Sequence, residues 1–236
     1  MLTSASRPHR KVAIATLIAV CTAGFALSCS LPQPQPRSQK AGMNIDQIAL
    51  VEKDFPPGWE VTKTQRSTIN DDTFGGSPVG RNIQFKPDYC SALAQALTKD
   101  MVGYQVSKVT ATHAGQELTV IAYEIPPSIP AKQPDTRDCS HATFEVTGVG
   151  GGFVTPAESP KIDGVKVISS CLTLVTDNDP SAATGSSDSY AYGAWIDDRH
   201  RVLVTIVADP TASPPQEPDT VLARDIFVKS VSAVSK

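Results

Sequence analysis

The amino-acid sequence predicts an α+β fold, in which helices pack mainly on one face of an antiparallel sheet. Three β-rich runs follow one another in the last third of the chain, and two more flank a short connection further upstream. Helical periodicity occurs near residue 50, near residue 90 and at the C-terminus. Because strands and helices do not alternate regularly, parallel βαβ units are not expected.

The first predicted element is an amphipathic helix over residues 44–55. Its apolar side chains are spaced by three and four positions, which places them on one helical face. They are Ile45, Ile48, Val51 and Phe55. Pro56 and Pro57 then end the helix. Residues 59–65 predict a short strand, because apolar side chains alternate there with β-branched ones, and residues 67–82 predict a polar loop.

The middle of the chain predicts a second helix and a hairpin. The helix begins at Pro87, whose fixed φ suits a first helical turn, and its apolar face holds Cys90, Leu93, Ala94 and Leu97. Strands at residues 106–113 and 117–125 flank a short connection, which predicts an antiparallel hairpin. After a proline-rich loop, the glycines between Gly148 and Gly152 predict a mobile or bulged segment.

The last third predicts a three-stranded meander followed by a helix. The β-rich runs are residues 165–177, 189–198 and 201–209, and a tight turn joins the last two. The closing helix runs from Asp219, a suitable N-cap, to Val234. Since no internal repeat or second linker interrupts the chain after residue 42, a single domain with one core is expected.

Residues 1–28 predict a secretory signal peptide. Arg7, Arg10 and Lys11 precede an apolar run of 16 residues, and no acidic residue occurs in the stretch. A permanent transmembrane helix is the weaker interpretation, because a bilayer-spanning helix needs about 20 mostly apolar residues. We therefore expect the protein to be exported to the extracytoplasmic side of the cell membrane.

The four residues Ala-Leu-Ser-Cys that end at Cys29 resemble the lipobox of bacterial lipoproteins, in which the cysteine carries the lipid. Ser28 fits that pattern, whereas Ala26 and Leu27 depart from it. Lipidation of Cys29 is expected, and the alternative is ordinary signal-peptidase cleavage nearby, with Cys29 left as a thiol. The membrane would then be the protein's first partner, through its lipid anchor.

Residues 29–42 are rich in proline, glutamine and serine and predict a tether. Such a stretch runs extended, at about 3.1 Å per residue where it is polyproline-like. It would hold the domain of residues 43–236 a few tens of ångströms from the membrane. The predicted organisation is thus a signal peptide, a lipidated tether and one domain.

The charge distribution argues against nucleic acid as a partner. Loss of the signal peptide removes three positive charges and no negative ones, so the formal net charge changes from −3 to −6. Nucleic-acid binding depends on clustered lysine and arginine side chains that neutralise phosphates. No basic run occurs after the signal peptide.

Three cysteines remain in the predicted domain, namely Cys90, Cys139 and Cys171. In the oxidising compartment that export implies, one disulfide and one leftover cysteine are expected. Cys90 and Cys139 are the favoured pair because both adjoin turn-like proline and aspartate residues, whereas Cys171 lies within a strand-like run. Zinc is the competing use, but no C-x-x-C pair or close Cys/His quartet is present. No metal or cofactor is predicted.

Several segments together resemble a known family. They are DFPPGWEV, PDYCSALAQAL, YGAWIDD, RVLVTIVADP and ARDIFVKSVSAV. Residues 43–236 thus resemble a domain of uncharacterised mycobacterial-type lipoproteins, which is similar to the extracellular sensor domain of certain actinobacterial serine/threonine kinases. That sensor domain usually carries two disulfides, which three cysteines cannot supply. Because no kinase domain occurs in this sequence, the resemblance implies sensing that is passed on through a partner.

The expected function is non-enzymatic, because no complete catalytic motif occurs. The sequence favours a binding or sensing domain for a small hydrophobic or other envelope ligand, located on the sheet face that the helices leave open. The alternative is a structural or adaptor lipoprotein that binds another envelope protein through an apolar patch. An envelope hydrolase is less favoured, since it would need His113, His141 or His200 beside a nucleophile.

Overall fold

The computed structural model describes residues 42–70, 83–94, 101–131, 139–146, 150–176, 185–209 and 216–236. The described residues do not include the predicted signal peptide of residues 1–28 or the predicted lipidation site Cys29. Of the predicted tether, residues 29–42, they include only Gly42. Within the described ranges, no helix combines the length and the apolar character that crossing a membrane requires.

A single antiparallel sheet of nine strands dominates the structure. The strands are β1 (Glu60–Thr68), β2 (Ile83–Lys86), β3 (Gln105–His113), β4 (Gln116–Glu124), β5 (Ala142–Val146), β6 (Gly150–Pro156), β7 (Lys166–Thr176), β8 (Gly185–Trp195) and β9 (His200–Ala208). Their order across the sheet is β1-β3-β4-β9-β8-β7-β6-β5-β2. The edges are therefore β1 and the four-residue strand β2.

Two helical segments pack against one face of the sheet. An N-terminal 3-10 helix, Ile45–Asp54, contacts β1, β3 and β4, and helix α2 (Thr220–Val234) contacts β4, β8 and β9. The two segments also contact each other, and an ion pair of 3.2 Å joins Lys229 to Asp54. On the opposite face, the short helix α1 (Ser91–Ala94) contacts β6 and β7.

Apolar side chains are buried on both faces of the sheet. On the helix side, Phe227 of α2 and Ile48 of the 3-10 helix are buried against strand residues such as Val204. On the other face, one cluster surrounds Tyr123 and a second surrounds the Cys90–Cys139 disulfide. Because the sheet is nine strands wide, the buried side chains on this face form two separate clusters instead of one.

The predicted disulfide between Cys90 and Cys139 is present, with an S–S distance of 2.10 Å and a Cα–Cα distance of 5.7 Å. It joins the 3-10 turn Asp88–Cys90, directly before α1, to the residues that precede β5. Phe144 and Trp195 pack in the same buried cluster. The disulfide thereby holds the short helix α1 against strands β6 and β7.

The predicted fold class is wrong, because the structure is dominated by its sheet rather than being an α+β fold with helices over one face. The three strands β2, β5 and β6 were not predicted, and the helices cover only about half of the face on which they pack. In β2 and β5, apolar residues such as Ile83 and Phe144 alternate with exposed polar ones, over too few positions to stand out in the sequence.

The prediction for the glycine-rich segment is also wrong in part. Gly150, Gly151 and Gly152 lie in strand β6, which pairs with β5 and β7, rather than in a mobile or bulged segment. Gly148 and Val149 lie outside the described residues. Neighbouring strands supply the packing that glycine lacks, which a local sequence pattern does not reveal.

Both predicted hairpins and the closing helix are confirmed. In the turn between β3 and β4, Ala114 and Gly115 both have positive φ, of 48° and 78°, as a type I′ turn requires. Helix α2 begins where predicted, with the Asp219 side chain accepting a hydrogen bond of 2.9 Å from the backbone N–H of Leu222. The segment of residues 44–55 is helical as predicted, but it forms a 3-10 helix.

Candidate functional site

Half of the helix-bearing sheet face has no described helix packed on it. The 3-10 helix and α2 cover β1, β3, β4, β9 and β8, and neither makes more than marginal contact with β7, β6, β5 or β2. We call the uncovered part, together with the adjoining edge of β8, the open face. The strand register assigns to it Gln84, Lys86, Thr143, Glu145, Gly151, Phe153, Thr155, Cys171, Thr173, Val175, Asp188 and Tyr190.

One row of cross-strand neighbours crosses the open face. The row is Lys86, Thr143, Phe153, Thr173 and Asp188, with one residue from each of β2, β5, β6, β7 and β8. Phe153 stands at the centre with its side chain 45% exposed. Threonines flank the ring on both sides, and the two ends of the row carry opposite charges.

Hydrogen bonds and ion pairs within the open face confirm that these side chains share one side of the sheet. The Thr173 hydroxyl donates a hydrogen bond of 2.6 Å to the Asp188 carboxylate. Lys86 lies 3.6 Å from the Glu145 carboxylate, and both side chains are largely exposed. Such an exposed ion pair contributes little to stability, so both groups can exchange partners at low cost.

Cys171 lies on the open face beside Tyr190, its register neighbour on β8. It is the free cysteine among the described residues and is half-buried. Burial raises the pKa of the Cys171 thiol, and the hydrogen bond with Tyr190 only partly offsets this effect. Since the thiolate is the reactive form, a raised pKa leaves Cys171 a poor nucleophile.

Two clefts lie away from the open face. A cleft of about 740 Å³ lies at the tip of the β3–β4 hairpin, where Glu60, Glu117 and His113 are among its lining residues. A groove of about 560 Å³ separates the 3-10 helix from the edge strand β1. Neither is lined by a residue of the open face.

Two charged side chains of the groove, Arg66 and Asp46, form an ion pair. Arg66 lies 3.3 Å from Asp46 and 3.1 Å from Glu124, and the Ser107 hydroxyl donates a hydrogen bond of 2.7 Å to Asp46. A bulge in β1 between Thr64 and Ser67 lies beside this cluster. Charged side chains and a bulge on an edge strand oppose pairing with another strand, so the groove has a structural explanation.

The three candidate histidines do not come together. Nδ1 of His113 lies 3.0 Å from the Gly58 carbonyl oxygen, and its ring packs on Trp59 with centroids 5.6 Å apart. Nδ1 of His200 lies 2.9 Å from the Asp197 carboxylate in the β8–β9 turn, and His141 is exposed. The hydrogen-bond partners found for these rings include no serine or cysteine nucleophile among the described residues.

Comparison with known proteins places the domain in a family. A family profile described as a domain of unknown function, DUF5642, matches residues 44–235. The chain belongs to this family. The DUF5642 match contains every strand and helix described above and ends at Ser235, one residue after α2. No protein with a curated description matches the chain significantly.

A solved structure shares the fold of this DUF5642 domain. It is the X-ray structure of an uncharacterised protein (Rv0999 ortholog) from Mycobacterium smegmatis. The two chains are 22% identical, the TM-score is 0.64, and the match covers 84% of this chain and 100% of the other. The expected similarity to an uncharacterised mycobacterial protein is therefore confirmed at the level of the fold.

The residues of the open face were not singled out from the sequence. Lys86, Phe153 and Asp188 are 67 and 35 positions apart, and only the sheet register brings them into one row. The expected location was the sheet face without helices, but that face buries two side-chain clusters, and the open face is instead the uncovered half of the helix-bearing face. Its residues could have been found only if β2, β5 and β6 had been recognised as strands.

Proposed function

We propose that this protein is exported, is anchored to the membrane by a lipid on Cys29, and uses its DUF5642 domain to bind another envelope protein without catalysing a reaction. The observation that carries the proposal is the open face, with the exposed ring of Phe153 at its centre. The resemblance to lipoproteins and to kinase sensor domains supports the same reading of the chain as a tethered binding domain.

The shape of the open face favours a protein partner over a small ligand. Small-molecule sites are concave and bury most of the ligand surface. The open face is the surface of a sheet, with an aromatic residue at the centre and polar or charged residues such as Lys86, Glu145 and Asp188 around it. An apolar centre with a polar rim is the usual composition of a protein–protein interface.

Anchoring is tested by replacing Cys29 with alanine. The unaltered protein is expected in the membrane fraction, with an intact mass that includes acyl chains. Cys29→Ala is expected to leave the membrane fraction, and Cys21→Ala is the matched control that should not. Equal membrane retention of the Cys29→Ala protein would contradict the anchor.

Binding is tested by a photo-reactive amino acid placed at residue 153 of the full chain in intact cells. We expect a covalent adduct with another protein after irradiation. The matched control is Val207, which is 41% exposed on the other face of the sheet. Adducts of equal yield from residues 153 and 207, or none from residue 153, would contradict the proposal.

The cleft at the β3–β4 hairpin supports a second candidate function, the binding of a small cationic ligand. Its volume of about 740 Å³ lies within the usual range for ligand pockets. The carboxylates of Glu60 and Glu117 belong to its lining, which favours a positive charge. Spermidine is a suitable probe: a rise in melting temperature that is lost in Glu60→Gln and Glu117→Gln supports this function, and no rise removes it.

A further inference from the structure

We propose that the protein bound at the open face is a second copy of this chain, so that the two copies form a dimer with two-fold symmetry. This inference rests on the proposed function and names its partner. It is carried by the order of side chains in the row from Lys86 to Asp188, which is complementary to itself.

The complementarity follows from the position of each residue in the row. Consider a two-fold axis that runs along β6 between two stacked open faces. This rotation exchanges β2 with β8 and β5 with β7, and it leaves β6 opposite itself. Lys86 of each copy then faces Asp188 of the other, and Thr143 faces Thr173. Phe153 lies on the axis, opposite its own counterpart.

Both charge pairs form at once because an isologous interface repeats each contact. Strands in a sheet are about 4.8 Å apart, so Lys86 and Asp188 lie about 19 Å apart with Phe153 midway between them. A row with two like charges, or with its aromatic residue off centre, would not match itself in this way. Among the described residues Lys86 forms an exposed ion pair with Glu145, and it can exchange this partner for Asp188 of the other copy.

The space beside Phe153 also suits a second copy. Stacked sheets lie about 10 Å apart, which two layers of side chains fill. The axis along β6 keeps both Phe153 rings at the same position along the strand, so the rings can be offset only across the strands. Thr143 and Thr173 flank Phe153 in that direction, and their short side chains leave room for the offset that aromatic pairs prefer.

The size of the face predicts a weak dimer in solution. Five strands and about five residues of each give a surface of roughly 24 Å by 17 Å per copy, taking usual strand spacings. Two such surfaces bury roughly 800 Å² in total, which is below the roughly 1,200–2,000 Å² of stable interfaces. Lipid anchors would favour association by confining both copies to one membrane. When the two-fold axis is perpendicular to the bilayer, equivalent residues lie at equal height, so both tethers can reach the same membrane.

The test is cross-linking of the full chain in its own membranes. Thr155 lies two residues beyond Phe153 on β6 and faces the same way, close to the axis. In a Cys171→Ser background, Thr155→Cys is expected to give a covalent dimer with a short bifunctional maleimide. Val207→Cys, exposed on the other face, is the matched control and should give at least about tenfold less dimer.

A charge swap then tests the paired ends of the row. Lys86→Glu and Asp188→Lys each bring like charges together at both ends and should reduce cross-linking about tenfold. The double variant restores opposite charges and should recover most of the yield. A merely structural role for either residue would not produce this recovery.

The outcomes separate this inference from the proposed function. Cross-linking at residue 155 with recovery in the double variant supports the dimer. Photo-adducts from residue 153 with a different protein, without any dimer at residue 155, overturn the dimer and leave the proposed function standing. No adduct from either position overturns both, and equal dimer yields at residues 155 and 207 overturn the dimer.

Discussion

The ring of Phe144 in β5 lies directly over Gly152 in β6, on the side of the sheet opposite the open face. A Cβ atom added to Gly152 would stand 2.7 Å from Cζ of Phe144 and still closer to the carbonyl oxygen of Thr173. Because a backbone atom cannot move aside, Gly152→Ala is expected to lower the free energy of unfolding by about 2–3 kcal/mol. Denaturant unfolding measures this loss.

Gly151→Ala is the control for this prediction. Its added Cβ would meet the carbonyl oxygen of Phe144 at 3.2 Å, which a small shift relieves. Its expected cost is below about 1 kcal/mol. Equal losses for the two variants would show that crowding by the Thr173 carbonyl and the Phe144 ring is not what requires glycine at residue 152.

The disulfide is expected to supply a large share of the domain's stability. It joins Cys90 to Cys139, which are 49 positions apart, so its loss should lower the free energy of unfolding by about 2–4 kcal/mol. Calorimetry of the variant with serine at both positions measures this. Cys171→Ser removes a thiol without removing a bridge and should change the melting temperature little. An unchanged melting temperature for the double-serine variant contradicts the prediction.

The turn between β8 and β9 should make stability depend on pH. The Asp197 carboxylate accepts hydrogen bonds of 2.7 Å from the backbone N–H groups of Arg199 and His200. Burial alone would raise the pKa of Asp197, but these hydrogen bonds and the neighbouring His200 ring outweigh burial and lower it. The folded-state pKa therefore lies below the unfolded one, near 3.9. The stabilisation is present above that pH and is lost as the pH falls through the folded-state pKa.

Asp197→Ala is accordingly expected to cost about 1 kcal/mol near neutral pH, a value kept small because the side chain is partly exposed. The difference from the unaltered protein should shrink as the pH falls below about 4. Thermal unfolding across this pH range checks it, with the exposed turn residue Asp163 replaced by alanine as the control. A difference that does not change with pH would mean that the charge of Asp197 is not involved.

Helix α2 is expected to form part of the hydrophobic core rather than to lie on its surface. Phe227 is fully buried, and its ring packs on Tyr192 of β8 with centroids 5.8 Å apart. Phe227→Ala should lower the free energy of unfolding by about 3–5 kcal/mol. Val228, the next residue, is 40% exposed, so Val228→Ala should cost less than about 1 kcal/mol. Similar losses at both positions would contradict this packing.

Elements with strong local signals were predictable from the sequence. Asp219 caps α2 through its own side chain, and Ala114-Gly115 forms a tight turn, so both depend on neighbours in the chain. The N-terminal helical segment also has a local signal, and its spacing fits the type of helix that forms. Its buried residues Ile45, Ile48 and Val51 recur every third position, which fits the three residues per turn of a 3-10 helix.

Strand β6, the fold class and the residues of the open face depend instead on contacts between segments that are distant in the sequence. Strand β6 contains three consecutive glycines, and only pairing with β5 and β7 makes this segment a strand. The fold class was mispredicted for the same reason, since missing three strands understates the sheet. The row from Lys86 to Asp188 exists only once those strands are in register, so neither its residues nor its place on the helix-bearing face could be predicted from the sequence.

The central claim, that the open face is covered by a protein in the cell, is tested most directly by hydroxyl-radical footprinting of Phe153. Oxidation of this ring should be at least about fivefold slower in native membranes than in the protein dispersed in detergent at high dilution, because an interface excludes water from its centre. Val207 should be oxidised equally in both. Oxidation of Phe153 at the same rate in membranes and in dilute detergent would contradict the account.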